Sequence, residues 1–254
     1  MNATPGSMPQ TTASALTVAE SRAVDRVCIE EYGLPGAVLM ENAARGCAEL
    51  LLQLSGGEPR PVAILCGRGN NGGDGFAIAR LLSIRGVPVH LFAPFAEPST
   101  EQDEPGEAAM NTRVARRMGL PWTDWTALSE DELAAALRET ADDGWLVDAL
   151  LGTGPTGPPR PPTDAAVRAI NAAAGHAAGQ ATVLAIDVPT GFDADAGRPF
   201  APDCCVAAVH TATFVTPKTG FLAEGANCWT GAVHVIGIGA PPAAITAVRS
   251  RDST

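Results

Sequence analysis

Three short polar clusters in this chain carry residues able to do chemistry: Asn70-Asn71-Gly72-Gly73-Asp74, Asp148 with Gly152-Thr153-Gly154, and Asp187 with Thr190-Gly191. Their donors are amide oxygens, carboxylates, a hydroxyl and turn carbonyls, with no His or Cys beside them. Such hard oxygen sets suit an alkali or alkaline-earth cation and not zinc. The first cluster sits among five glycines, Gly67, Gly69, Gly72, Gly73 and Gly75, whose backbone N–H groups suit a phosphate or pyrophosphate. A carboxylate enclosed at such a place can have its pKa raised and act as a general acid/base. Each cluster alone also has an ordinary reading. Asn, Asp and Gly are turn formers, and Asp148 by itself is as well a cap as a ligand.

The elements around the clusters explain how they meet. Val62–Cys66 is an apolar run of strand length, the glycines follow, and Phe76, Ile78, Ala79, Leu81 and Leu82 continue as a helix. Further strands are expected at Val87–Phe92, Pro121–Trp125, Trp145 to Asp148, Ala181–Ile186, Val209–Thr216 and Gly231–Ile238. Helices are expected at Ala19–Glu31, Ala37–Leu54, Ala108–Met118, from a Ser129/Glu132 capping box to Glu139, and at Thr163–Ala174. Strands alternating with helices define a three-layer, doubly wound α/β fold: a mostly parallel sheet with helices on both faces. In such sheets ligands bind outside the carboxyl ends of the strands. The three clusters all follow strands, so that one edge gathers them. One domain is expected over 17–240, with a disordered lead-in at 1–16, a polar insert at Glu97–Glu107 and an Ala/Pro tail at 241–254.

Composition excludes several function classes. The 254 residues include 17 Lys and Arg against 28 Asp and Glu, a net charge of −11, which disfavours nucleic acid and anionic membranes as partners. No apolar run is long enough to span a membrane. Six scattered cysteines without a CxxC pair read as reduced thiols of a cytoplasmic protein. His90, His176, His210 and His234 stand beside no nucleophile motif and read as core or surface residues. Asn42, in the second helix, reads either as an exposed or capping residue or as a ligand contact.

The spacing Gly67-x-Gly69-x-x-Gly72 matches a dinucleotide fingerprint, yet the next strand ends in Ala93-Pro94 with no ribose-binding acid, and no Gly-Lys-Ser/Thr follows. In order along the chain, Gly69-Asn70-Asn71-Gly72-Gly73-Asp74-Gly75, Asp148-x-x-x-Gly152-Thr153-Gly154 and Asp187-x-Pro189-x-Gly191 resemble the NAD(P)H-hydrate epimerases, the YjeF N-terminal-type domain. Leu39-Met40-Glu41-Asn42-Ala43 and Thr213-x-x-x-Pro217-Lys218 add to the resemblance, which covers roughly 17–240. Ala44 stands where the family usually has Gly, and Pro155–Arg160 departs from its more polar stretch.

The resemblance implies a Rossmann-like sheet and an isomerase that interconverts the R and S forms of hydrated NADH and NADPH in metabolite repair. It implies that Asn70, Asn71, Gly72, Gly73 and Asp74, with Gly152, Thr153, Gly154, Pro155, Thr156, Gly157 and Pro158, hold the dinucleotide. Asp187 would face the reacting end as the acid/base, with Lys218 as a second polar group. Asn71, Asp148 and Thr190 would match potassium ligands. A dehydratase on a separate chain would complete the repair, and a homodimer is compatible with the resemblance. Two rivals stand beside this reading: a ligand-binding or scaffold module on the same fold, and an ordinary NAD-dependent oxidoreductase.

Overall fold

Alternate residues of the first strand, β1 (Val62–Cys66), face two different cores. Val62, Ile64 and Cys66 pack on one side of the sheet, Ala63 and Leu65 on the other. A strand buried on both faces must be apolar throughout, which is why Val62–Cys66 shows no alternation. The computed structural model describes residues 15–94, 105–174 and 181–251. The lead-in before residue 15, most of the polar insert and His176 lie outside the described residues.

Seven parallel strands form the sheet. They are β1, β2 (Val89–Phe92), β3 (Trp122–Thr123), β4 (Trp145–Ala149), β5 (Thr182–Ile186), β8 (His210–Phe214) and β9 (Ala232–Ile236), in the order β3-β2-β1-β4-β5-β8-β9. A small antiparallel hairpin, β6 (Phe192–Asp193) with β7 (Arg198–Pro199), follows β5. The strand order runs one way from β1 to β3 and the other way from β1 to β9. The crevice opens between β1 and β4, where the connections leave in opposite directions.

Helices α2 (Gly36–Leu54), α3 (Asn70–Ile84) and α4 (Glu107–Arg117) cover one face of the sheet. Helices α5 (Glu130–Thr140) and α6 (Thr163–Ala173) cover the other. The expected Ser129/Glu132 capping box opens α5. A second box, Thr17 with Glu20, opens α1 (Val18–Glu30); each cap contributes about 1 kcal/mol.

The structure corrects the sequence reading at the ends. The expected tail at 241–254 holds a helix instead, α8 (Pro242–Arg251), following the short α7 (Asn227–Thr230). Ala244 and Val248, one helical turn apart, join Val24, Val27, Cys28 and Leu39 in a third apolar cluster. An Ala-rich segment needs little else to be helical, and Pro is tolerated at its first position. At the other end Leu16 is fully buried, its N–H donating to the Pro217 carbonyl and its own carbonyl accepting from Thr219 N–H, so it belongs to the fold and not to the lead-in. The strand expected at Pro121–Trp125 shrinks to Trp122–Thr123, because Trp125 turns inward and its indole N–H donates to the Cys66 carbonyl at 3.1 Å.

Candidate active site

Neighbouring strands β5 and β8 end in the same kind of turn. Val188 N–H donates to the Ile186 carbonyl at 2.9 Å around Asp187, whose φ is 63°, and Thr216 N–H donates to the Phe214 carbonyl at 2.8 Å around Val215, whose φ is 66°. Such three-residue turns are rare, and a β-branched residue in that conformation carries strain on the order of 1–3 kcal/mol. Both residues line the same cleft. Beneath them, Lys218 is wholly buried. Its ammonium donates to Asp187 Oδ1 at 2.9 Å, Thr213 Oγ1 at 2.9 Å and the Phe214 carbonyl at 3.2 Å, so all three protons have acceptors.

Asp148 and Thr190 lie together, one strand over. The Asp148 carboxylate accepts from Thr190 Oγ1 and Thr190 N–H, both at 2.8 Å, and from Leu150 N–H at 3.2 Å. Burial raises its pKa to about 6 against the pull of these bonds. Thr190 Oγ1 accepts in turn from Leu151 N–H at 3.0 Å. Next along the chain, Gly152 leaves room for two side chains. A Cβ there would stand 3.3 Å from Asp187 Oδ2 and 3.4 Å from Asn71 Cγ. Asn71 is buried, and neither its Oδ1 nor its Nδ2 has a hydrogen-bond partner among the described residues. An unpaired buried amide costs about 1–3 kcal/mol. Its oxygen is a hard donor of the kind an alkali cation takes, and it lies against Gly152, the residue after Leu151, whose N–H bonds Thr190, so the donor set fits the potassium that the sequence resemblance implies.

The glycines of the first loop have a different task from the one their number suggests. A Cβ on Gly72 would meet the Gly67 carbonyl oxygen at 1.9 Å, one on Gly73 the Ala108 Cα at 2.7 Å, and one on Gly75 the Cys66 sulfur at 2.7 Å. They let α3 press onto β1 and α4. The Gly73 N–H donates to the Gly69 carbonyl inside the helix, which removes it from the free donors. Asn70 at the helix start and Asp74 one turn on do line the cleft. Of the loop 152–158, Thr153 lines the cleft; Gly154, Thr156 and Pro158 are exposed, and Pro155 and Gly157 partly covered. The guanidinium of Arg22 on α1 clasps this loop, donating to the carbonyls of Thr153 and Gly154.

Sequence reasoning missed one wall of the cleft. Ser21, Arg22, Asp25 and Ile29 of α1 line it, facing Leu39, Met40 and Ala43 of α2, Glu107 of α4, and Phe214, Val215 and Ile238 at the strand ends. The space measures about 760 Å³ counted with its open mouth. Burial first, then the charge of Asp187, raises the Asp25 pKa to about 6, while Lys218 and Arg26 pull it down. Asp74 is pushed well above the carboxylate range by burial, then by Asp187 and Asp25. The spacing Ser21, Asp25, Ile29 marks one helical face, the signal that could have found it.

Asn42 lies outside the cleft lining; its Nδ2 donates to the Ile238 carbonyl at 3.0 Å and ties α2 to the chain after β9. His210 Nδ1 and His234 Nε2 stand 3.1 Å apart, with His210 on the first residue of β8, at the edge of the sheet away from the cleft.

A doubly wound sheet whose strand ends combine an unpaired buried amide, a buried lysine–aspartate ion pair and an apolar-walled cleft defines a small-molecule site at the carboxyl edge of the sheet. A family model described as YjeF-related protein N-terminus matches residues 36–220, and the chain belongs to that family. It is 39% identical over 226 residues to an NAD(P)H-hydrate epimerase of Rhodopirellula baltica, covering 89% of this chain and 84% of that one. It is 40% identical over 224 residues to an NAD(P)H-hydrate epimerase of Pirellula staleyi, covering 88% and 92%. A bifunctional NAD(P)H-hydrate repair enzyme of Salinibacter ruber is 38% identical over 233 residues, 89% of this chain and 41% of that one. The crystal structure of the yeast protein YNL200c shares the fold, with a TM-score of 0.64 at 20% identity over 82% of each chain.

Proposed function

We propose that this chain is an NAD(P)H-hydrate epimerase, interconverting the R and S forms of hydrated NADH and NADPH. The observation that carries the reading is the Lys218–Asp187 ion pair, presented to an apolar-walled cleft by a left-handed residue, in a chain 39–40% identical to enzymes of that name.

The substrate bears a hydroxyl on a ring carbon beside the ring nitrogen. Protonation of that hydroxyl lets water leave while the nitrogen lone pair forms C=N⁺, and water returns on the other face. Asp187 Oδ2, free of the Lys218 bond, is an oxygen suited to proton transfer in this exchange. The ammonium fixes the other oxygen and holds the carboxylate in place. Leu39, Met40, Val215 and Ile238 give the uncharged ring an apolar bed and thin out stray water. Asn70 and the free amides at the start of α3, with Thr153 in the strapped loop, suit the dinucleotide's phosphates and ribose.

Asn71, Asp148 and Thr190 would hold potassium. Bound there, the ion supplies positive charge that steadies the loops and the anionic dinucleotide. A dehydratase acting on one epimer completes the repair. No helix among the described residues is long and apolar enough to cross a membrane, and the six cysteines are all unpaired, which supports a reducing cytoplasmic setting.

The test is chromatography of one purified epimer of hydrated NADPH with the protein in potassium buffer. Equilibration well above the spontaneous rate is expected. Folded protein that adds nothing to that rate would remove the reading.

A further inference from the structure

We infer that Asp25 is a second catalytic residue, which shares the proton work of the epimerisation with Asp187 from the other wall of the cleft. The inference rests on the epimerase reading above.

Its ground is the arrangement of groups around one space. Asp187 rises from the strand ends, at the floor. Asp25 comes from α1, on a face shared with Ser21 and Ile29, and lines the same cleft. Asp25 is half-buried, and among the described residues its carboxyl has no hydrogen bond or ion pair, whereas the Asp187 and Asp148 carboxylates are both held by hydrogen bonds. A carboxyl held at a cleft without a partner is free to meet a ligand. Asp74, the third carboxyl there, is only 7% exposed and sits deeper in α3, better suited to donating a fixed hydrogen bond than to cycling a proton.

The reaction asks for two positions. The leaving and entering oxygens stand on opposite faces of the ring, and a single carboxyl on one wall reaches only one of them without turning the ring over. With two, Asp25 gives its proton to the hydroxyl as the C–O bond breaks, and the nitrogen lone pair becomes the C=N⁺ bond. Water adds from the other face as the π pair returns to nitrogen, and its proton passes to Asp187 Oδ2. Nothing is oxidised or reduced. The cycle leaves Asp187 protonated and Asp25 ionised, which is the state that converts the product epimer back. The active enzyme thus holds one proton on the pair, in both directions.

The charges around Asp25 are compatible with that sharing. Burial and then Asp187 raise its affinity for a proton, Lys218 and Arg26 lower it, and its own charge raises that of Asp74. Glu107 on α4 and Arg22 on α1 also line the cleft, Cys28 on α1 feels the Asp25 charge, and α8, packed on α1, carries Arg249 and Arg251, the latter bound to Glu31.

The experiment follows epimerisation of hydrated NADPH by wild type, Asp25→Asn and Asp25→Glu between pH 4.5 and 9, with circular dichroism to check folding. Wild type should give a bell-shaped kcat/KM profile. Asp25→Asn should lose about 10²-fold or more in kcat with KM within threefold, and its profile should keep one limb only, while Asp25→Glu recovers part of the rate and the bell. Asp25→Asn within tenfold of wild type, or a larger loss with the bell intact, overturns the inference. So does a single-limbed wild-type profile, which decides the matter even if Asp25→Asn does not fold. Wild type without any epimerisation sinks the epimerase reading itself, a result distinct from these.

Discussion

Lys218 Nζ lies 2.9 Å from Asp187 Oδ1, with the lysine side chain wholly buried and 13% of the aspartate surface left open to the cleft. One partner is locked and the other faces the ligand. Removing the locked one strands a carboxylate, the Thr213 hydroxyl and the Phe214 carbonyl together. Lys218→Met should therefore lose about 3–5 kcal/mol of stability and at least 10²-fold in epimerisation rate. Urea unfolding beside a kinetic assay checks both; a stable, active Lys218→Met protein would show that the pair does neither job.

Asp187 itself holds a left-handed conformation that Asn tolerates and most residues do not. Asp187→Asn should keep an acceptor for Lys218 but leave its buried ammonium without a counter-charge, so it should lose about 3–5 kcal/mol of stability and about 10²–10⁴-fold in kcat. Asp187→Val places a β-branched residue at φ 63° and should unfold at lower urea than Asp187→Asn. Equal epimerisation by Asp187→Asn and wild type would move the chemistry to another group.

The glycine loop separates packing from openness. Gly72→Ala sets a methyl 1.9 Å from the Gly67 carbonyl and Gly75→Ala one 2.7 Å from the Cys66 sulfur, whereas Gly154→Ala meets nothing within 4 Å. The first two should cost about 1–3 kcal/mol or more and the third less than about 0.5 kcal/mol. Thermal melts of the three variants rank them. A tolerated Gly72→Ala would mean that α3 can move off β1.

The unpaired Asn71 amide gives the cation its own readout. At matched ionic strength, potassium should raise the melting temperature more than lithium does, by an amount equivalent to about 2.7 kcal/mol at a hundredfold excess over Kd. Asn71→Ala should abolish that difference while folding in either salt. An equal response in both proteins would put the ion elsewhere.

How much of this could be read beforehand depends on where each residue gets its meaning. The core strands were legible because both faces are buried, and the three polar strand ends because they break those apolar runs. α8 was not, since its helix rests on alanine and two buried residues, with no stripe to see. The five glycines read as a phosphate loop, but Gly72, Gly73 and Gly75 answer to atoms of β1, α4 and their own loop that no local pattern shows. Asp25 looks like any polar residue of a surface helix. Only the packing of α1 beside the strand ends turns it inward.

That position has a consequence for stability as well as for rate. An aspartate in an unfolded chain titrates near its ordinary value of 3.8, while Asp25 in the fold does so at about 6, because burial and the Asp187 charge oppose its ionisation. The folded state thus holds the proton more tightly. The associated stability is fully present below about pH 4 and is lost as pH rises through about 6. Asparagine has no proton to lose. The stability of Asp25→Asn relative to wild type should therefore rise between pH 4 and 6.5 and level off above, reaching about 2 kcal/mol once solvent at the cleft mouth is allowed for. Urea midpoints at pH 4.5, 6 and 8 measure it. A pH-independent difference would mean that Asp25 ionises freely in the fold. A variant that gains stability at pH 8 while losing turnover has shed a group that the fold carries at a cost, and chemistry at the cleft is the reason to carry it.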